Sequence, residues 1–350
     1  MQMRKMAGMA VAAVLLAAGA AQADITIETV PVGNPGNAAD TRTQSDGTSG
    51  YGAVAYEYNI GKYEVTAGQY TAFLNAKAKT DTYGLYNTSM DSDALGCQIT
   101  RLGTSGSYKY DFSGRPSGTE ADWVNRPVNY VSWGDSVRFA NWLTNGQGSG
   151  STETGAYNLN GAMTNAQLMA VAVPSASQRA AWSTGAKPYF LLTSEDEWYK
   201  AAYHDKNAAL AATYFVYPTG SNTAPTATNV ANQLSVAPGS ANYHYVVDSP
   251  TNVGAYNSKP STSAYGTFDQ GGNLAEWNEA VLGPCRGLRG GAFGTFAYDL
   301  HASDREAYYF PTGQDGSVGF RVSEVPEPAS MAVLALGSIG MLLRRRRRMV

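Results

Sequence analysis

Two cysteines, three histidines and a few acids held in glycine-rich turns are what this chain offers to chemistry. Cys97 and Cys285 are far apart in sequence, so they do not form the close pair on one short loop that a copper dithiolate needs. His204, His244 and His301 show no His-x-x-x-His spacing, and no facial cluster for non-haem iron is readable. Neither copper nor iron is expected. A serine hydrolase has no candidate either, since no Gly-x-Ser-x-Gly element is present and no serine pairs with a histidine at a readable spacing. Calcium is the metal the chain can support. Hard cations take several oxygens from carboxylates and main-chain carbonyls, which a glycine-permitted tight loop can bring together.

Three helices are predicted to position these groups. The first covers residues 66–77, with Tyr70, Phe73, Leu74 and Lys77 at helical spacing. The second starts at Ser132, with Asp135 three residues on, and buries Trp133, Val137, Ala140 and Leu143. The third is opened by Thr193, with Asp196 three residues on, and offers Trp198, Ala201 and Ala202 to the core. Glu195, Asp196 and Glu197 then complement the dipole of that helix rather than catalyse. Strands are predicted at 55–60, 108–112, 190–192, 286–289 and 318–322. Runs this short between glycine-rich loops exclude a sandwich or a doubly wound sheet and point to a loop-rich α+β fold. Trp133, Trp142, Trp198 and Trp277 read as core anchors.

The two ends belong to export. Residues 1–23 carry Arg4 and Lys5, an apolar run and an Ala21-Gln22-Ala23 cleavage site, the pattern of a secretory signal peptide. At the other end, Pro326-Glu327-Pro328 leads into an apolar run and then Arg344–Arg348. That run is marginal for a full span and reads as a transient inner-membrane anchor stopped by its arginines. Setting aside seven basic residues (Arg4, Lys5, Arg344–Arg348) and Glu327 leaves 18 basic and 27 acidic residues, so the body carries −9. Such a body repels nucleic acid and anionic lipid and suits cations or neutral ligands. In an oxidising compartment a Cys97–Cys285 disulfide is expected, with free thiols or a relocated metal pair as the alternatives.

The stretch 265–321 reads YGTFDQGGNLAEWNEA, then RGLRGGAF, then SDREAYYFPTGQDGSVGFRV. This succession resembles the formylglycine-generating enzyme (sulfatase-modifying-factor) family. Four further segments fit the family in order: YNIGKYEVTAGQYTAFLN (58–75), RPVNYVSWGDSVRFANWL (126–143), FLLTSEDEWYKAAY (190–203) and YPTG (217–220). The resemblance implies a C-type-lectin-like α+β domain over residues 50–324, after a lead-in segment at 24–49. Residues 325–350 resemble a PEP-CTERM sorting segment, which implies processing by an exosortase and passage to the outer surface or matrix.

The resemblance also says what is missing. Family oxidases build their copper site from a serine after Gly-Gly and two nearby cysteines. Those positions fall here on Ala292, Thr295 and either Leu300 or His301. Family calcium ligands carry over to Asp269, the Gly272 and Leu274 carbonyls and Glu276. A second set carries over to Asn242, the Tyr243 carbonyl and Asp248, with Asn229 as a rival. Arg289, Arg305 and Arg321 correspond to buried ion-pair partners. The loop 293–314 stands where lectin-like folds vary their ligand contacts, and it presents Phe296, Tyr298, His301, Tyr308 and Tyr309.

Together these features favour a non-catalytic surface or biofilm-matrix binding protein with a glycan or peptide ligand. A modifying enzyme with a non-standard centre and a purely structural matrix component are the alternatives.

Overall fold

Serine and threonine caps start the longer helices of this protein, and backbone pairing across sequence-distant strands closes the rest. The structure is a computed structural model and describes residues 24–326 apart from 186, 209 and 259. The expected signal peptide (1–23) and the sorting segment beyond residue 326 lie outside the described residues. Helix makes up 19% and strand 17%, so loops carry most of the chain.

Helix α1 (Ala67–Lys77) is opened by Thr66, whose hydroxyl accepts the Gln69 N–H while the Gln69 side chain reaches back to the cap. Helix α2 (Trp133–Thr144) has the same reciprocal cap from Ser132 and Asp135, and all twelve of its residues are buried. Helix α3 (Glu195–Tyr203) starts one residue later than the sequence suggests. Its cap is Ser194 with Glu197, not Thr193 with Asp196. Trp133, Trp142, Trp198 and Trp277 are all buried. Phe73, Phe139 and Phe320 meet edge to face, with centroids 5.4 and 5.5 Å apart, and join α1 and α2 to the C-terminal strands.

Two sheets frame this core. The first has the antiparallel order β1 (Thr29–Val32), β2 (Tyr58–Gly61), β7 (Val322–Val325), β3 (Tyr189–Leu192). The lead-in segment therefore supplies an edge strand of the same sheet that the last strand completes. The second sheet has the order β6 (Val318–Gly319), β4 (Ala275–Leu282), β5 (Cys285–Arg289). The predicted strand 318–322 is thus split between the two sheets.

The predicted disulfide is not formed. Cys97 and Cys285 are both free and both buried. Cys97 is pinned in the core, its N–H donating to Asn129 Oδ1 at 2.9 Å, while Cys285 opens β5 opposite Leu282 at the hairpin end. The two side chains belong to separate elements. Burial pushes the Cys97 thiol up to about 11, so it stays protonated and inert.

Candidate functional site

The hairpin β4–β5 ends in Gly290-Gly291, and these two glycines aim the following loop. Gly291 has φ +64, and a Cβ there would meet Thr295 Oγ1 at 2.6 Å and Asp299 Cβ at 2.9 Å. Only glycine lets residues 295–300 fold back this closely. Once folded back, the loop locks itself. Thr295 Oγ1 accepts the Ala292 N–H at 2.9 Å and donates to the Ala292 carbonyl at 3.1 Å, and Asp299 Oδ2 accepts the Phe296 N–H at 2.6 Å.

Positions that correspond to the copper site of family oxidases therefore have other occupations. Ala292 is buried, Thr295 serves its own turn, and Leu300 is fully buried against Ala241 and Tyr243. His301 turns inward, with its ring 5.5 Å from that of Tyr217 and its Nδ1 accepting the Ser303 N–H at 3.0 Å.

Above the loop lies an open cavity of about 280 Å³. Phe296, Tyr298, Tyr308 and Tyr309 line it, so four of the five predicted contact residues come together and His301 does not. Tyr298 is 65% exposed and Tyr308 is 74% exposed. Asp299 and Glu306 also line the cavity, and the sequence reading missed both. Glu306 is held beside β5 by backbone pairing with Leu288 in both directions. Burial, then Asp304 and Asp299, push the Glu306 carboxyl up to about 8, and burial with Asp299 raises Asp304 to about 6.

The arginines that follow the hairpin look away from this cavity. Arg289 donates through Nε to Glu195 Oε1 at 2.9 Å, and Arg305 donates through Nε and Nη2 to the same carboxylate at 2.8 and 2.7 Å. Arg305 also reaches Asp46 at 2.7 Å. Glu195 is thus a buried two-arginine anchor, more than a dipole partner at the start of α3. Glu197 plays a similar part with Arg179 at 2.7 Å.

The predicted calcium ligands are placed less uniformly. Glu276 sits on β4, the longest strand, which was not expected from the sequence. Both its oxygens are engaged: Arg321 donates at 2.6 and 2.5 Å and Trp198 Nε1 at 2.7 Å, all fully buried. Asp269 accepts the Gly254 N–H at 2.6 Å and is raised to about 6 by burial, with nearby Glu276 adding to the effect. It borders a void of about 10 Å³, the size of one water, beside a Thr219 hydroxyl with no partner.

In the first set, then, Glu276 is committed to Arg321, while Asp269 is held by the Gly254 N–H. In the second set Asn242 Oδ1 is buried with no hydrogen-bond partner, an oxygen available to a hard cation. Asp248 is exposed nearby in sequence, and the rival Asn229 is used as a cap, accepting the Asn232 N–H at 3.1 Å.

Among the described residues no helix is long and apolar enough to cross a membrane. A PEP-CTERM protein-sorting motif matches residues 324–348, which marks the chain for export and processing by an exosortase. Treponema denticola variable protein 1 superposes with a TM-score of 0.52 at 19% identity, over 86% of this chain and 98% of its own. CarF does so with 0.50 at 18% identity, over 85% and 98%. These likenesses are of fold alone. No curated protein matches the chain. The family model described as the sulfatase-modifying factor enzyme 1-like domain matches residues 12–325, nearly the whole chain. The chain belongs to that family.

Proposed function

We propose that this is an exported, non-catalytic member of its family that holds an extracellular ligand at the aromatic-rimmed cavity, as a surface or biofilm-matrix protein. One observation carries the reading. The positions of the family's oxygen-activating residues are not merely changed but built into the fold, with Leu300 sealed in an apolar cluster and Thr295 locked onto Ala292. Restoring a thiolate pair there would require rebuilding the loop. The exposed faces of Tyr298 and Tyr308 support a binding role, because tyrosine combines apolar area with a polar tip.

The deciding experiment incubates copper-loaded protein with a cysteine peptide and follows it by mass spectrometry. The cysteine should remain unchanged. Conversion to the aldehyde would overturn the non-catalytic reading and favour a modifying enzyme with a non-standard centre. In the same scheme exosortase cleavage near residues 325–327 releases the chain from its transient anchor. Retention of Arg344–Arg348 in cell-surface protein would refute that step.

We also propose calcium as a structural ion, held by Asn242, the Tyr243 carbonyl and Asp248 in preference to the Asp269 set. The orphaned Asn242 Oδ1 favours this assignment, and the commitment of Glu276 to Arg321 counts against the other. Calcium bound only to the native state should raise the melting temperature relative to chelator. Asn242→Ala should remove that gain. Loss of the gain in Asp269→Ala alone would reverse the assignment.

A further inference from the structure

Two carboxylates, Asp299 and Glu306, line the aromatic cavity, and Asp304 stands beside them. Asp299, Asp304 and Glu306 each bring one oxygen within 4.8 Å of the others. Among the described residues no salt bridge reaches any of the three. The arginines that stand nearest in sequence are occupied, since Arg289 and Arg305 both pair with Glu195. Glu306 is the group that faces the cavity: it is buried, lines the cavity wall and has only the neighbouring Asp304 carboxyl as its side-chain hydrogen-bond partner. Asp304 Oδ2 is itself sealed from solvent. A cation supplied by a ligand would let these crowded acids ionise and would satisfy the oxygens that face the cavity.

The walls say what kind of donor fits. Phe296 and Tyr298 stack with centroids 5.8 Å apart, and Tyr245 meets Phe296 at 6.3 Å. Phe296, Tyr298, Tyr308 and Tyr245 are all exposed, a group of aromatic faces around an acidic floor. Aromatic faces attract ammonium and guanidinium groups, and carboxylates accept their N–H donors. A bare ion fills little of a 280 Å³ cavity, whereas a charged group on an alkyl stem occupies both floor and wall. The negative field also reaches the mouth. Asp299, followed by smaller effects from Asp304 and Glu306, raises the pKa of the exposed Tyr298 hydroxyl.

We infer that this cavity receives the cationic end of a lysine or arginine side chain from a polypeptide partner, with the charge against Asp299 and Glu306, the Asp304 carboxylate adding to their field, and the stem against Tyr298 and Tyr308. The inference rests on the ligand-holding reading above and narrows it to one chemistry. The net negative body of the chain favours the same partner, because it draws basic polypeptides and turns away acidic ones.

The test uses the full processed chain and a fluorescent Gly-Arg-Gly-Arg-Gly peptide read by polarisation, beside its citrulline counterpart, which keeps shape and loses charge. The arginine peptide should bind about tenfold tighter or better than the citrulline form, the scale of a charge-assisted contact. At about pH 9, where Glu306 is ionised and arginine still charged, Glu306→Gln and Asp304→Asn should each weaken it about tenfold. Tyr308→Ala should weaken it about threefold, and because Tyr308 is 74% exposed this variant leaves the core intact.

Equal binding of the arginine and citrulline peptides would overturn the inference, as would binding indifferent to all three variants. Agmatine binding as tightly as the peptide would assign the site to a free amine and refute the polypeptide partner. Manganese or calcium displacing the peptide, with loss of that metal in Glu306→Gln, would make the floor a metal site and refute it too. A neutral glycan lost in Tyr308→Ala but kept in Glu306→Gln would refute the cation while the ligand-holding reading stands. Turnover of a cysteine peptide would sink that broader reading separately.

Discussion

Two groups of three carboxylates flank the β4–β5 hairpin, and they differ by one arginine. Glu64, Asp269 and Glu276 surround Arg321, which is fully buried and donates to Glu276, to the Phe268 carbonyl at 2.8 Å and to the Gly61 carbonyl at 2.9 Å. Glu64 adds a second tie, accepting from Asn273 Nδ2 at 2.9 Å and the Leu274 N–H at 3.2 Å. On the other side, among the described residues, no salt bridge reaches Asp299, Asp304 or Glu306, and Asp299 and Glu306 open onto a cavity. The same residue types therefore serve structure where a cation is built in and remain available for a ligand where none is. An acidic cluster is informative about function only once its counter-charge has been looked for.

The contrast breaks most sharply at Arg321. Replacing it with methionine leaves three buried acids without their cation, and loss of one partner from a buried ion pair costs about 3–5 kcal/mol. We expect Arg321→Met to unfold at a much lower denaturant midpoint, with cavity binding lost only because the fold is lost. A midpoint like that of the wild type would show that the Glu276 group is neutral without its arginine, and the comparison would collapse.

Gly291 tests the junction that separates the two groups. Gly291→Ala places a Cβ in left-handed backbone and 2.6 Å from Thr295 Oγ1, a strain of about 1–3 kcal/mol. Because the same Cβ would press on Asp299, the variant should lose affinity at the cavity while the Arg321 side keeps its structure. Calorimetry alongside the peptide assay separates the two effects. Unchanged peptide binding would mean that the floor does not depend on this close approach.

Much of the scaffold was legible from the sequence. Caps and spacing at Thr66, Ser132 and Trp198 lead to three helices because each signal is local and satisfied within one turn. The motif order over residues 50–322 leads to the family because it is long and specific. What stayed hidden is tertiary. Strand β4 carries Glu276 and Glu279 in buried positions, and charged residues read as loop until Arg321 and Arg179 arrive from distant segments. Asp299, Asp304 and Glu306 lack metal-motif spacing and converge only after Gly291 folds their loop back.

The disulfide failed for a similar reason, since compartment chemistry says that a bond is favoured, not that two thiols meet. Labelling of unreduced, denatured protein should tag both Cys97 and Cys285. Labelling of neither would restore the bond.

The effect of opposite sign belongs to Glu306. Its carboxyl is raised from 4.5 to about 8 by burial and by Asp304 and Asp299. The folded protein therefore keeps a proton that the unfolded chain has already released between those two values. Stability from this group is fully present below about 4.5 and is lost as the pH rises through about 8. Below about pH 4.5, where folded and unfolded chains both hold the proton, Glu306→Gln should barely move the midpoint. Between about 4.5 and 8 the wild type should weaken while the variant holds, and the two denaturation curves should separate in favour of glutamine. At Glu276, whose carboxylate is matched by Arg321, the same change to glutamine should destabilise instead. Parallel pH profiles for wild type and Glu306→Gln would mean that the acids on the cavity floor do not repel one another, and the distinction between the two groups would then rest on Arg321 alone.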